Sequence, residues 1–372
     1  MAKVYGKSQY AIGIKRKAVD NSSIYFDTAA ATDTAYQLLP VINVSSPVLN
    51  LVESGEIRSN NAGMIETDFD QFRTRKGGFV TLDFEVPAER EGIVRLLASV
   101  LQDHTQTGAG PYVHTIEASS TYALSRPDFD ATDGDSDGIP LLFDIGLYGP
   151  STAEDKLITS AVLQSLTMNF DMADGRCLLT GTFYSGLASS VGFKVGQTLS
   201  ANSGEPTLMH TSPSQIESYF DTKTLDIGGS ATNAIITGVS FTFENNVARV
   251  GRDENGDAEN YAFGIPSVNI TGEISLMYDD NFNDGASNVL QDFLDGTPAT
   301  LILQQGDGTV SAAGEMNITA EIYSTAVNYD LNADTGAIIT IPFKVVQPTS
   351  SGAPSGTAFK FEYADNKANS SW

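Results

Sequence analysis

Eight stretches of this chain alternate apolar and polar residues with a period of two. They are GFVTLDFEV (78–86), LITSAVLQSLTMNF (157–170), RCLLTGTFYS (176–185), NAIITGVSFTFEN (233–245), SVNITGEISLMY (267–278), TLILQQ (300–305), MNITAEIYSTAVNYD (316–330) and GAIITIPFKVV (336–346). Successive side chains on a strand point to opposite faces, so each stretch reads as a strand with one face for a core and one for water. A strand is usually about 5–6 residues long. Longer ones suit extended sheets, including sheets that continue from one subunit into the next. The fold class follows: mainly β.

Only two segments break the pattern with helical periodicity. In PAEREGIVRLLASVLQD the apolar positions are Ile93, Leu96, Leu97, Val100 and Leu101; in DGASNVLQDFLDG they are Ala286, Val289, Leu290, Phe293 and Leu294. Both sets follow i, i+3, i+4, i+7, i+8, which is one face of a helix. Each follows a glycine, Gly92 or Gly285, and each stands between two strands. A second feature also occurs twice. NFDMADGRCLLTGTF (169–183) and NYDLNADTGAIITIPF (328–343) both open on Asn, an aromatic and Asp, and both close on Phe after a short turn and an apolar run. Strand–helix–strand and closing hairpin recur in the same order. The chain therefore divides into an N-terminal arm (1–36), a first repeat (37–186), a linker with one or two local elements (187–230), a second repeat (231–347) and a C-terminal extension (348–372). Within that extension AFKFEY alternates and can add a strand to a neighbour.

Composition removes several functions. The formal net charge is -25, and such a surface repels nucleic acid rather than gripping it. A lone cysteine, Cys177, excludes an intrachain disulfide framework and a Cys-rich zinc site; it reads as a small apolar strand residue. No apolar run approaches the roughly 20 residues that span a membrane. The basic N-terminus has no apolar core or cleavage site of a signal peptide, which points to synthesis in a cytosol.

Catalytic motifs are sparse. His104, His114 and His210 have no metal-ligand spacing and no GxSxG serine to serve, and read as surface or loop residues. There is no Walker loop and no strand-linked GxGxxG. No cofactor is signalled, with one weak exception for calcium. In DGDSDGIPLLFD, Asp133, Asp135 and Asp137 alternate before Gly138, and Asp144 stands twelfth, resembling an EF-hand loop. It lacks flanking helices, carries Pro140, and ends on an aspartate too short for easy bidentate reach. Two long polar segments, 53–77 and 244–264, occupy matching places in the repeats and read as loops. Loops of about 20 residues inside compact domains are usually functional. They concentrate Arg58, Arg73, Arg75 and Lys76 in the first and Arg249 and Arg252 in the second. With Lys15, Arg16 and Lys17 of the arm, these bases are the expected contacts to a neighbouring copy's acidic surface.

The order of these pieces resembles the tail tube proteins of long-tailed, siphovirus-type bacteriophages. The likeness rests on ESGEIRS, SLTMNFDMADGRCLLTGTF, IITGVSFTFENNVARVG, VNITGEISLMYDD, VLQDFLDGTPATLILQQGDG and IITIPFKV, and extends from about Ser8 to Val346. It implies two tandem β-sandwich or barrel-like tube domains, each with one short α-helix. It further implies a structural virion protein, made in the host cytoplasm, whose rings stack into a conduit for DNA. Its partners would be further copies of itself and other tail proteins, such as the tape measure, terminator and distal tail proteins; DNA would pass without specific binding. Three two-domain chains would give a pseudo-hexameric ring; six whole chains with one repeat outside would be the other arrangement. Two further classes stand beside this one. A secreted or surface β-sandwich adhesin, calcium-stabilised through the aspartate loop, would need a signal peptide. A glycan-degrading enzyme would need paired carboxylates and aromatic platforms, and the only tryptophan, Trp372, is terminal.

Overall fold

The computed structural model describes residues 11–17, 36–39, 41–55, 71–88, 90–101, 103–108, 110–119, 142–149, 155–172, 175–187, 193–195, 207–208, 220–227, 230–232, 234–246, 248–252, 261–264, 268–277, 289–306, 309–330, 338–350 and 353–365. They form a mainly β structure with two short helices. The arm and first repeat supply β1 (Ala11–Lys17), β2 (Gln37–Leu39), β3 (Asn43–Val44), β4 (Val48–Gly55), β5 (Gln71–Pro87), α1 (Arg90–Leu101), β6 (Thr105–Thr107), β7 (Tyr112–Ser119), β8 (Leu142–Tyr148), β9 (Lys156–Asp171) and β10 (Arg176–Gly186). Next come β11 (Phe193–Val195), β12 (Thr207–Leu208), β13 (Thr222–Ile227) and β14 (Ser230–Ala231). The second repeat supplies β15 (Ile235–Asn245), β16 (Ala248–Arg252), β17 (Tyr261–Gly264), β18 (Val268–Met277), α2 (Val289–Leu294), β19 (Ala299–Gln305), β20 (Met316–Ser324), β21 (Asn328–Asp330) and β22 (Ile338–Val345). A small hairpin of β23 (Thr349–Ser350) and β24 (Ala353–Pro354) leads to β25 (Thr357–Asp365).

The two closing hairpins are β9–β10 and β21–β22, and both pair antiparallel. The first turns on Gly175, whose φ of 66° is the left-handed conformation glycine adopts without cost. Each hairpin extends into a four-stranded unit: β4–β5–β10–β9 in the first repeat and β15–β18–β22–β21 in the second. The two units do not stand apart. β9 pairs antiparallel with β15 over Gly238↔Asp171 to Glu244↔Ser165, so eight strands form one continuous front sheet. Behind it lie two smaller layers. One is β2–β1–β8 with the N-terminal half of β9. The other is β13–β19–β20–β25–β7.

One hydrophobic core runs through both repeats. Phe241, Phe243, Phe343 and Phe359 meet ring to ring at 5.1–6.4 Å, a geometry that adds to the area they bury. The two repeats of the sequence are thus two units of pattern within a single packed body. The segment 187–230 is more than a linker, because β13 is a back-layer strand of the second repeat.

Several expectations change here. The arm does not project at 11–17: β1 pairs along its length with β8. The segments 53–77 and 244–264 are not simply loops. β4 and β5 continue pairing out to Gly55↔Gln71, and β16 pairs with β17, so in each repeat the passage is a projecting β-ribbon. Polarity concealed this, since a mostly polar segment has no apolar alternation to read. From residue 92 to 101 α1 is buried throughout, Arg95 and Ser99 included, because it packs against β7, β9 and also β15 of the other repeat. α2 differs: Val289 and Phe293 are buried, while Leu294 is 63% exposed.

Candidate functional site

The face of the front sheet turned away from the core carries a succession of polar side chains among the described residues. Alternation places one set of side chains in the core and the other set outward on every strand. The outward set includes Thr81, Asp83 and Glu85 on β5, Thr180 and Thr182 on β10, and Ser165, Thr167 and Asn169 on β9. It continues with Ser240, Thr242 and Glu244 on β15, Asn269, Thr271 and Glu273 on β18, and Thr340 on β22. Register aligns them into rows. Glu85, Thr180, Thr167, Thr242, Thr271 and Lys344 stand opposite one another in turn across six strands and both repeats. The row below runs Asp83, Thr182, Ser165, Glu244, Asn269.

Hydrogen bonds hold these side chains flat. Thr167 and Thr242 bond hydroxyl to hydroxyl at 3.0 Å across the junction between the repeats. Thr182 donates to Asp83 at 2.7 Å, and the Asp83 amide donates to Ser45 Oγ at 3.0 Å. Asn245, buried at the same junction, donates to the Leu163 carbonyl at 2.8 Å. Beside β3, which pairs with β5 at Asn43↔Glu85 and Val44↔Phe84, an open groove of about 440 Å³ is lined by Ser45, Asp83, Glu85, Ser165, Thr167 and Thr182, among others. Two bases, Arg176 and Lys344, and the less polar Leu178, Phe79 and Tyr184, the last two stacked with ring centroids 5.2 Å apart, interrupt the described part of the face. The hydroxyls, amides and carboxylates of this face supply hydrogen-bond acceptors and negative charge.

The sequence-selected bases among the described residues lie on three strands. Lys15, Arg16 and Lys17 lie on β1 opposite Asp144, Phe143 and Leu142; Arg73, Arg75 and Lys76 lie on β5; Arg249 and Arg252 lie on β16. Arg58, Asp133, Asp135, Asp137 and His210 lie outside the described residues. Asp144 is a strand residue of β8. Burial, followed by the charge of Asp144, raises the pKa of the Tyr36 hydroxyl. Among the described residues no group of three or more His, Cys, Asp or Glu is arranged to hold a metal ion, and no helix is long and apolar enough to cross a membrane. Cys177 is buried in β10, and burial raises its thiol pKa, which makes it a poor nucleophile.

Two histidines are not on the surface as expected. His104 and His114 are buried, with stacked rings 5.2 Å apart. His114 Nε2 lies 3.1 Å from Asp365 Oδ1, and its Nδ1 lies 3.0 Å from His104 Nε2, both within hydrogen-bond distance. The chain of bonds ties the first repeat to the last residue of β25. Position could have signalled the pair, since His104 directly precedes β6 and His114 lies on β7, its hairpin partner; Asp365 is 251 residues from His114 and carries no local cue. Beside them, burial raises the pKa of Asp103 despite the Glu117 amide donating to it at 2.7 Å. The charged form therefore costs stability above the folded pKa, and the cost disappears as pH falls and the carboxyl is protonated. Asp103→Asn keeps an acceptor for Glu117 and removes the charge. Urea unfolding should show the variant more stable than wild type near neutral pH, with the gain shrinking toward pH 4.

Comparison of the sequence with protein-family models finds no match, and comparison with curated proteins finds none either.

Proposed function

We propose that this protein is a structural subunit of a phage tail tube, and that its copies form rings whose inner wall is the front sheet. The observation that carries this reading is the continuity of that sheet through both repeats with one polar, mostly acidic and hydroxylic face. A conduit for DNA needs such a face, because each phosphate contact would release counterions and hold the passing strand. The absence of a catalytic constellation in the sequence fits the same role.

Sheet arithmetic favours three chains over six. Strands lie about 4.8 Å apart and tilt by about 40° in barrels. Three chains of eight strands each would close a barrel about 50 Å across between backbones, leaving about 40 Å between side chains, which passes a DNA duplex. Six chains with both repeats in the wall would double it. A ring with one repeat decorating the outside does not fit a sheet shared by both. The projecting ribbons β4–β5 and β16–β17 then stand at equivalent places around the ring, suited to contact the next one, and carry Arg73, Arg75, Lys76, Arg249 and Arg252.

Negative-stain microscopy of purified protein should show rings or tubes with a central pore; a monomer at high concentration across several salts would overturn the reading. The polar face supplies a second test. Asp83→Lys, Glu244→Lys and Glu273→Lys together should convert assembled tubes from passing over duplex DNA to retaining it. A filter-binding assay should show retention that weakens steeply with salt.

A further inference from the structure

The junction inside the chain is a template for a junction between chains. Register makes the two front-sheet units comparable residue by residue. Glu85↔Thr180, Phe84↔Gly181, Leu82↔Phe183 and Thr81↔Tyr184 in the first repeat correspond to Ser275↔Thr340, Ile274↔Ile341, Gly272↔Phe343 and Thr271↔Lys344 in the second. Val48 on β4, opposite Thr81, is therefore the counterpart of Thr242 on β15, opposite Thr271. Asn328 on β21, opposite Thr340, is the counterpart of Thr167 on β9, opposite Thr180. Inside the chain Thr242 and Thr167 face each other. Val48 and Asn328 lie at the two far ends of the eight-stranded sheet.

Exposure separates the covered positions from the open ones. Phe243, beside Thr242, is fully buried, while its counterpart Leu49, beside Val48, is 46% exposed. Leu101 on α1 is 1% exposed, and α1 packs against β15 across the internal junction. Its counterpart by spacing, Leu294 on α2, is 63% exposed. The internal junction buries apolar residues on a strand and a helix, while the matching residues, Leu49 on the edge strand β4 and Leu294 on α2, are open to water.

Resting on the conduit reading, we infer that β4 of one copy pairs antiparallel with β21 of another, with Val48 opposite Asn328. Leu49 and Leu294 are then covered as Phe243 and Leu101 are inside the chain. The contact is head to tail. Repeated, it closes a ring or grows a filament and cannot stop at a symmetric dimer.

Two experiments test the contact. Val48→Cys with Asn328→Cys places thiols on opposite edges of one chain, so oxidation should give disulfides between copies only. A non-reducing gel should show a ladder that each single variant lacks. Cys177 is buried and does not contribute. Separately, Leu49→Asp and Leu294→Asp each disable one edge. Each should stay monomeric with a wild-type circular dichroism spectrum, and an equal mixture should form dimers and nothing longer. If either aspartate variant misfolds, the cysteine pair still decides. Porous wild-type rings with no cross-linked ladder, or rings that persist in both aspartate variants, would overturn this contact and leave the conduit reading standing. Cross-linked assemblies without a through-pore would uphold the contact and overturn the conduit. A wild-type chain that never self-associates would overturn both.

Discussion

Ending the chain after Gly356 should leave it unable to fold, although both repeats would be intact. The lost segment carries β25, which lies between β7 of the first repeat and β20 of the second and pairs with both. It contributes Phe359, Phe361 and Tyr363, all at most 2% exposed. Truncating a buried aromatic costs about 3–5 kcal/mol. Three such losses approach or exceed the roughly 5–15 kcal/mol that holds a folded protein together. Two strand edges would also open, inviting aggregation. The truncated chain is expected in the insoluble fraction. Phe361→Ala alone should remain soluble and lose about 4 kcal/mol. With an unfolding entropy of about 2.1 cal/mol/K per residue, that is a fall in melting temperature of about 5 °C. A soluble, cooperatively melting truncation would show that the repeats do not depend on this strand.

Gly272→Val should be the most damaging single substitution in the front sheet. A Cβ at position 272 would run into the Ser240 carbonyl oxygen on β15 and the Phe343 ring on β22. The first obstacle is backbone, so relief requires moving β15 away from β18 in the middle of the shared sheet. Overpacking typically costs about 1–3 kcal/mol and sometimes more; a backbone clash inside a paired strand belongs at or above the upper end. The first repeat contains the same device with its parts exchanged. Phe84 on β5 lies over Gly181 on β10, where a Cβ would fall 2.6 Å from the ring and 2.8 Å from the Ser165 oxygen. Gly181→Val should therefore be nearly as harmful. Gly238→Ala is the control, since its nearest neighbour would be an ordinary 3.7 Å away. Urea unfolding of the three variants checks the order; equal stability for Gly238→Ala and Gly272→Val would contradict the packing argument.

The strand identities were legible because half-buried strands write their faces into the sequence. Leu179, Gly181, Phe183 and Ser185 point to the core, and Thr180 and Thr182 away from it, as alternation requires. The duplicated hairpin was legible for the same reason. The ribbons were hidden, because their mostly polar segments carry no apolar period. The polar face was half legible: alternation singles out Thr180 or Glu273 as outward, but says nothing of which strand lies beside it. That Thr180, Thr167, Thr242 and Thr271 form one row depends on β10, β9, β15 and β18 being neighbours.

What the sequence determined by itself is a mainly β chain, twice patterned, with one lone cysteine and a strongly acidic balance. Those properties follow from local periodicity and composition. What only the tertiary structure decided is that the two patterns share one sheet and one core. It also decided that β25 lies between them, that His104, His114 and Asp365 meet, and that Leu49 and Leu294 are left open to water. These are pairings between segments far apart in the chain. Their choice is set by packing and hydrogen bonding between surfaces, and no periodicity within a single segment encodes its partner.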